Sequence, residues 1–333
     1  MTGRRALVVL AGLLISTAAL WIVLQTIEVG EAVAIISRAN PVALLAIVTV
    51  VAVQVSLRAF RWSLLFPRRP DGTRAPVTRL LPPLLIGYLG NAVLPARLGE
   101  PMRALIASRR EKVGVTESMG SVLLERLIDV ATLAVVAFTA TLVVDAPSWA
   151  RQALAVAAGL GITGIVVLST VGIAPLLGIA NRLGLGRREK LSSLAQRFAA
   201  TLGGRSRRPA ILGSAGISVG AWLLDAFSFW LAAQAVGVEL SYAGAMLVAG
   251  ITVLGTAIPS APGYVGTFEL AAAGMAGALG VAPAPALAMA VVAHVMTLMP
   301  MALGGAVALT IAGTNLGDAA REASTARATG AAP

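Results

Sequence analysis

The chain has 333 residues, no cysteine and one histidine; 57% of its residues are apolar, 12% are charged, and its net charge is +11. A soluble domain carries about 25% charged residues, so a water-soluble globular enzyme is excluded, and so is a disordered chain, whose hydrophobicity is low. The cysteine count excludes a disulfide framework, an iron–sulfur cluster and a zinc–thiolate centre, and His294 alone is little material for a metal site or a Ser-His triad.

What remains is an all-α polytopic integral membrane protein, in which each helix needs about 20 apolar residues to cross the bilayer. Segment 6–24 is the first uncharged run and follows Arg4 and Arg5. Its length, with Trp21 near its end, reads as an uncleaved span rather than a signal peptide. Segment 39–57 is the second, and Arg58 and Arg61 end it beside Trp62. Their plainer reading is snorkelling to lipid phosphates; contact with a substrate headgroup is the other.

Segment 80–94 is apolar but contains Pro82, Pro83, Gly87 and Gly90, and it breaks at Pro95-Ala-Arg-Leu-Gly-Glu-Pro101. Both flanks are basic. Segment 58–79 has six arginines against Asp71, and 97–117 has five basic residues against three acidic ones. The positive-inside rule puts both flanks in the cytoplasm, which makes 80–107 a re-entrant hairpin.

Segment 118–144 is a third span and carries Glu125, Arg126 and Asp129; 152–174 is a fourth. Segment 182–208 has eight basic residues against Glu189 and is cytoplasmic. Its interleaved leucines suit an amphipathic helix on anionic lipid, and nucleic-acid binding is the weaker reading. Segment 209–238 is a fifth span, interrupted by Asp225. Two long runs, 240–268 and 270–317, follow on either side of Glu269. They contain a second hairpin, broken at Pro259-Ser-Ala-Pro-Gly-Tyr-Val-Gly266, and the last membrane segments.

The expected architecture is six to eight transmembrane helices with two Pro/Gly-broken hairpins: about six full spans plus the hairpins, or eight full spans. Both termini are cytoplasmic. Residues 1–317 form one transmembrane domain, with halves of about 1–175 and 209–317 joined by the basic loop 176–208, and 318–333 is a disordered tail. The two breaks align loosely, as inverted repeats around a central site would; ordinary kinks in full spans are the alternative.

An ionisable group at a helix centre costs about 2.5–3.5 kcal/mol to insert, so each one inside a span is a candidate. Glu125 and Asp129 are four apart and share a helix face, and Arg126 can neutralise one of them. A structural ion pair is the alternative. Pro101 suits the first position of a half-helix and Gly99 a backbone turn before it. Such a helix N-terminus, with Arg97 and Arg103 beside it, attracts an anion. Glu100 caps the same end or pairs with Arg103, and a plain capped helix with interfacial arginines is the other reading. Asp225 is protonated or paired with an arginine of another helix. Glu269 is an acid/base or a helix cap. His294 is hydrogen-bonded to a neighbour or functional. Nucleotide motifs are absent, which argues against an ATP-driven pump. No metal and no cofactor are expected.

Three motifs in order, Gly90-Asn-Ala-Val-Leu-Pro-Ala-Arg-Leu-Gly-Glu-Pro-Met-Arg103, Ser121-Val-Leu-Leu-Glu-Arg-Leu-Ile-Asp129 and Pro259-Ser-Ala-Pro-Gly-Tyr-Val-Gly-Thr-Phe-Glu269, resemble the lysylphosphatidylglycerol synthase transmembrane family, the flippase-like domain, over about residues 5–312. In two-part members this domain moves an aminoacylated lipid that a cytosolic domain makes. The chain reads as a stand-alone member without that synthase domain. The resemblance places Arg97, Gly99, Glu100, Arg103, Glu125, Arg126, Asp129, Pro262, Gly263 and Glu269 at motif positions, and with Asp225 these are the candidate substrate-binding residues. The expectation is a flippase or transporter of an anionic or modified phospholipid in the bacterial cytoplasmic membrane, and not an enzyme. Its partners are membrane lipids, with a second copy or a lipid-synthesis enzyme as further candidates. An intramembrane lipid-modifying transferase, with Glu125 and Asp129 as acid and base, and a membrane scaffold are the alternatives.

Overall fold

A computed structural model describes residues 3–94, 97–170, 208–257, 260–312 and 317. The expected basic loop lies outside them except for Arg208, as do the tail 318–333, three residues of the two breaks, Pro95, Ala96 and Pro259, and Ile258 just before the second. Among the described residues all regular structure is helical, as the composition requires.

The helices are α1 (Gly3–Thr26), α2 (Val29–Ile36), α3 (Pro41–Leu65), α4 (Val77–Val93), α5 (Gly99–Glu111), α6 (Val115–Ala140), α7 (Ser148–Thr170), α8 (Arg208–Ala235), α9 (Tyr242–Gly255), α10 (Thr267–Ala278) and α11 (Pro283–Ala312), with a short 3-10 turn at Pro262–Tyr264. Four of them, α3, α7, α8 and α11, are long and apolar enough to cross a bilayer. Leu10–Gln25 of α1 with α2 makes a fifth if the 88° bend between them belongs to one span. Helix α6 has 26 residues, about 39 Å of rise, and differs from those four in carrying Glu125, Arg126 and Asp129 in its middle.

The paired arms α4/α5 and α9/α10 have 17, 13, 14 and 12 residues. At 1.5 Å per residue each is about 18–26 Å long, short of a bilayer core of about 30 Å. The chain therefore runs long helix, hairpin, long helix twice: α3, α4/α5, α6, then α8, α9/α10, α11.

Helix α3 shows how polar residues enter the interior. Asn40 caps it by accepting the Val42 N–H at 2.9 Å, and Pro41 opens the first turn. Ile47, Val51, Gln54, Arg58, Arg61 and Leu65 are all buried, and their three- and four-residue steps put them on one stripe. That stripe packs on α8 as an antiparallel ladder. Gln54 Nε2 donates to Ala221 O and to Asp225 Oδ1, Arg58 lies 4.7 Å over the Trp222 ring, and Arg61 Nη1 donates to Ser218 Oγ. Helices α3 and α8 thus run antiparallel.

The first hairpin closes on glycine. A Cβ at Gly99 would fall on Gly87 O and lie 2.6 Å from Asn91 Oδ1, so α4 and α5 approach backbone to backbone. Asn91 Oδ1 accepts the Gly99 N–H at 3.0 Å. This moves the start of α5 to Gly99, two residues before the Pro101 expected from sequence. The partner that satisfies the exposed N–H comes from α4 and not from the helix's own flank.

Candidate functional site: a buried charge cluster

Three helices bring six charges together. Helix α3 supplies Arg61; α5 supplies Glu100 and Arg103; α6 supplies Glu125, Arg126 and Asp129. Glu125 is the centre and touches all three guanidiniums. Its Oε1 accepts from Arg61 Nη2 at 2.7 Å and from Arg126 Nη2 at 2.9 Å, and Oε2 accepts from Arg103 Nη1 at 3.1 Å. Asp129 takes Arg61 through both of its oxygens, Oδ2 at 3.1 Å, and lies 3.2 Å from Arg126 Nη2. Glu100 Oε2 accepts from Arg103 Nε at 2.9 Å, and Oε1 lies 3.9 Å from Arg126 Nε.

The cluster has three positive and three negative side chains, so its charge balances internally. It also has an inside and an edge. Arg61 and Glu125 are fully buried and Arg103 nearly so, while Arg126 and Glu100 keep 33% and 21% of their side chains exposed. Apolar packing holds the inner part. The Arg103 guanidinium lies 4.8 Å over the Trp62 ring, and Trp62 Nε1 donates to Ser121 Oγ at 3.0 Å. At the edge two donors, Tyr88 Oη and Arg126 Nε, are buried without a hydrogen-bond partner. Burying charges costs several kcal/mol each, so six in one place, matched so closely, are costly to keep for packing alone.

Of the residues singled out from sequence, Glu100, Arg103, Glu125, Arg126 and Asp129 come together here. Gly99 contributes no ligand; it allows the hairpin to close. Asp225 sits further along the α3–α8 ladder, and its hydrogen bond comes from Gln54. Arg97 is not beside Arg103. Its backbone is left-handed, with φ +53°, and its side chain turns to the other hairpin, where Nη2 donates to Thr256 O and the guanidinium lies 5.3 Å over Tyr264. Pro262 and Gly263 belong to that second break, where a Cβ on Gly263 would stand 3.3 Å from Ala92 O. The two breaks therefore touch, and Arg97 ties them. Glu269 caps α10 by accepting the Gly266 N–H at 2.7 Å, and it also meets His294.

Sequence reasoning left Arg61 out of the candidate binding residues, with snorkelling as its plainer reading and headgroup contact as the other; in the structure it is fully buried at the heart of the cluster. The signal was the spacing of Gln54, Arg58 and Arg61, which places all three polar side chains on the buried stripe of one apolar helix.

The family described as lysylphosphatidylglycerol synthase TM region matches residues 9–305. The glycosyltransferase AglD of Haloferax volcanii is 25% identical over 360 residues, an alignment that covers 97% of this chain and 57% of that protein. The chain therefore spans little more than half the length of this curated relative.

Proposed function

The chain belongs to the lysylphosphatidylglycerol synthase TM region family and is a multi-pass membrane protein, and from that premise we propose that it moves a lipid with an anionic or modified headgroup across the bacterial cytoplasmic membrane, with its N-terminus on the cytoplasmic side. The observation that carries this reading is the buried six-charge cluster held by α3, α5 and α6, with one accessible edge. Ionisable groups inside a membrane protein mark a path for something polar.

The edge explains how a phosphate is handled. Glu100 is the outermost carboxylate and occupies Arg103 and Arg126 together. A lipid phosphate takes its place on the same two guanidiniums, whose forks suit phosphate oxygens, and Tyr88 Oη and Arg126 Nε are donors within reach of that edge. The inner charges stay paired throughout, and the acyl chains remain in lipid. The second hairpin, with Pro262, Gly263 and Glu269, faces the first across the Arg97 tie and supplies the other side of the path.

Glu100→Gln removes the competing carboxylate and leaves one positive charge in excess at the edge. The variant is expected to retain more anionic lipid through purification than the wild type, by about tenfold for each 1.4 kcal/mol gained, and to release it more slowly. Quantitative mass spectrometry of co-purified lipid checks this; equal or lower anionic lipid counts against the displacement.

The reading as a whole is tested in proteoliposomes. Fluorescent anionic and zwitterionic lipids are followed with a membrane-impermeant quencher. Exchange of the anionic lipid above that of empty liposomes is expected, and equal rates for both lipids at the empty level would overturn it. A second reading, intramembrane transfer of a group to a lipid, is favoured by the likeness to AglD, a protein named as a glycosyltransferase. Thin-layer chromatography of the same lipids separates the two, since a transferase changes lipid mobility and a transporter does not.

A further inference from the structure

Beside the second break lies a titratable pair outside the charge cluster. Glu269 Oε1 lies 2.5 Å from His294 Nδ1, across the α10–α11 interface. The other oxygen, Oε2, already accepts the Gly266 N–H. The Phe268 ring stacks on the imidazole with centroids 4.1 Å apart and planes 13° from parallel, and Phe229 stacks on Phe268 at 5.8 Å. His294 is 6% exposed, and its Nε2 is buried without a hydrogen-bond partner. Ser260 Oγ, in the same break, is likewise buried and unpartnered.

With Glu269 ionised, its oxygens only accept, so the contact takes its hydrogen from Nδ1, and a neutral ring then has its bare lone pair on Nε2. The pair then holds one buried negative charge. One proton added at Nε2 gives an imidazolium beside a carboxylate, and the buried charge falls to zero. The Nδ1–H contact to Glu269 is the same before and after, so the proton comes and goes without unmaking the hairpin.

On the helices packed around the pair, Arg58 of α3 lies on Trp222 and Arg61 in the charge cluster, Asp225 of α8 on Gln54, Arg79 of α4 near Glu111, and Tyr242 of α9 on Leu223 O; Tyr88 of α4 has no hydrogen-bond partner, and Glu31 of α2 is exposed. Among the described residues the titratable side chain that Glu269 meets is His294.

We propose that Glu269 and His294 form a proton-binding site at the second break, that it takes up one proton at His294 Nε2, and that its occupancy drives the lipid movement proposed above. The site itself stands apart from that movement; the coupling rests on it.

His294 is the sole histidine, so histidine-selective 15N labelling of the untagged protein in nanodiscs reports this one ring. We expect the Nε2 signal to move in a single step from the unprotonated to the protonated position as the pH falls. Glu269→Gln should move that step, since it removes the carboxylate facing the ring. A ring fixed in one state from pH 4 to 9, or a midpoint unmoved by Glu269→Gln, overturns the site. In proteoliposomes, lipid exchange should fall by about tenfold per pH unit above the midpoint, and His294→Gln should abolish that dependence. Exchange indifferent to pH overturns the coupling. Exchange absent at every pH, with His294 still titrating, overturns the transport reading and leaves the proton site in place.

Discussion

Replacing Arg61 with alanine is expected to destabilise the protein by about 3–5 kcal/mol, the cost of leaving buried charge without its partner. Arg61 is fully buried and donates to Glu125, to both oxygens of Asp129 and to Ser218. Without it, Glu125 and Asp129 keep Arg103 and Arg126 in contact, with Arg58 acting on Asp129 from beside the cluster. The variant also opens a void on the α3 stripe, where α3 meets α8. Arg61→Lys should recover part of the loss, because an ammonium restores the charge and not the fork. In a double-mutant cycle, Asp129→Asn with Arg61→Met should cost less than the sum of the two singles, because the buried charge is removed along with its partner. Thermal unfolding in detergent reads each variant against the wild type. An Arg61→Ala variant that melts with the wild type would show that the cluster is not held as described.

The second large effect is expected from one methyl group. Gly99→Ala places a Cβ on the Gly87 carbonyl and 2.8 Å from the Asn91 backbone nitrogen. Those are backbone atoms and cannot swing aside, so α4 and α5 must separate. Overpacking of this kind costs about 1–3 kcal/mol or more. The separation also carries Glu100 and Arg103 away from Glu125 and Arg126 while every charge remains in the chain. The variant should therefore lose lipid exchange. Gly216→Ala and Gly220→Ala on α8 meet nothing within 4 Å and should be neutral or stabilising by up to about 1 kcal/mol. Exchange by Gly99→Ala at the wild-type rate would contradict the close-packed hairpin.

The broken hairpins were legible in the sequence because proline and glycine interrupt long apolar runs at 95–101 and 259–266, and Glu125, Arg126 and Asp129 were legible because charge inside an apolar span is costly wherever it falls. Arg61 was hidden by its position: an arginine at the end of a span is ordinarily interfacial, and only the stripe it shares with Gln54 and Arg58 says otherwise. Arg97 was misplaced for a different reason. It is six residues from Arg103, but a left-handed backbone turns it toward Thr256 and Tyr264, and a contact across 159 residues has no local signature. The same holds for Glu269 and His294, each visible as a lone titratable group. Their pairing depends on how α10 folds back onto α11, which the apolar pattern of either helix leaves open.

The central claim is that the exposed edge of the cluster handles a lipid headgroup. Arg126 tests it most directly, since it is the one guanidinium of the three with a third of its side chain exposed, and Arg61 and Arg103 still hold Glu125 and Asp129 when it is replaced. The measurement is transbilayer exchange of a fluorescent anionic lipid by Arg126→Gln in proteoliposomes, with melting in detergent recorded beside it. The predicted result is a folded protein whose exchange falls to that of empty liposomes while the wild type exceeds it. A folded Arg126→Gln that exchanges the lipid as fast as the wild type would contradict the account.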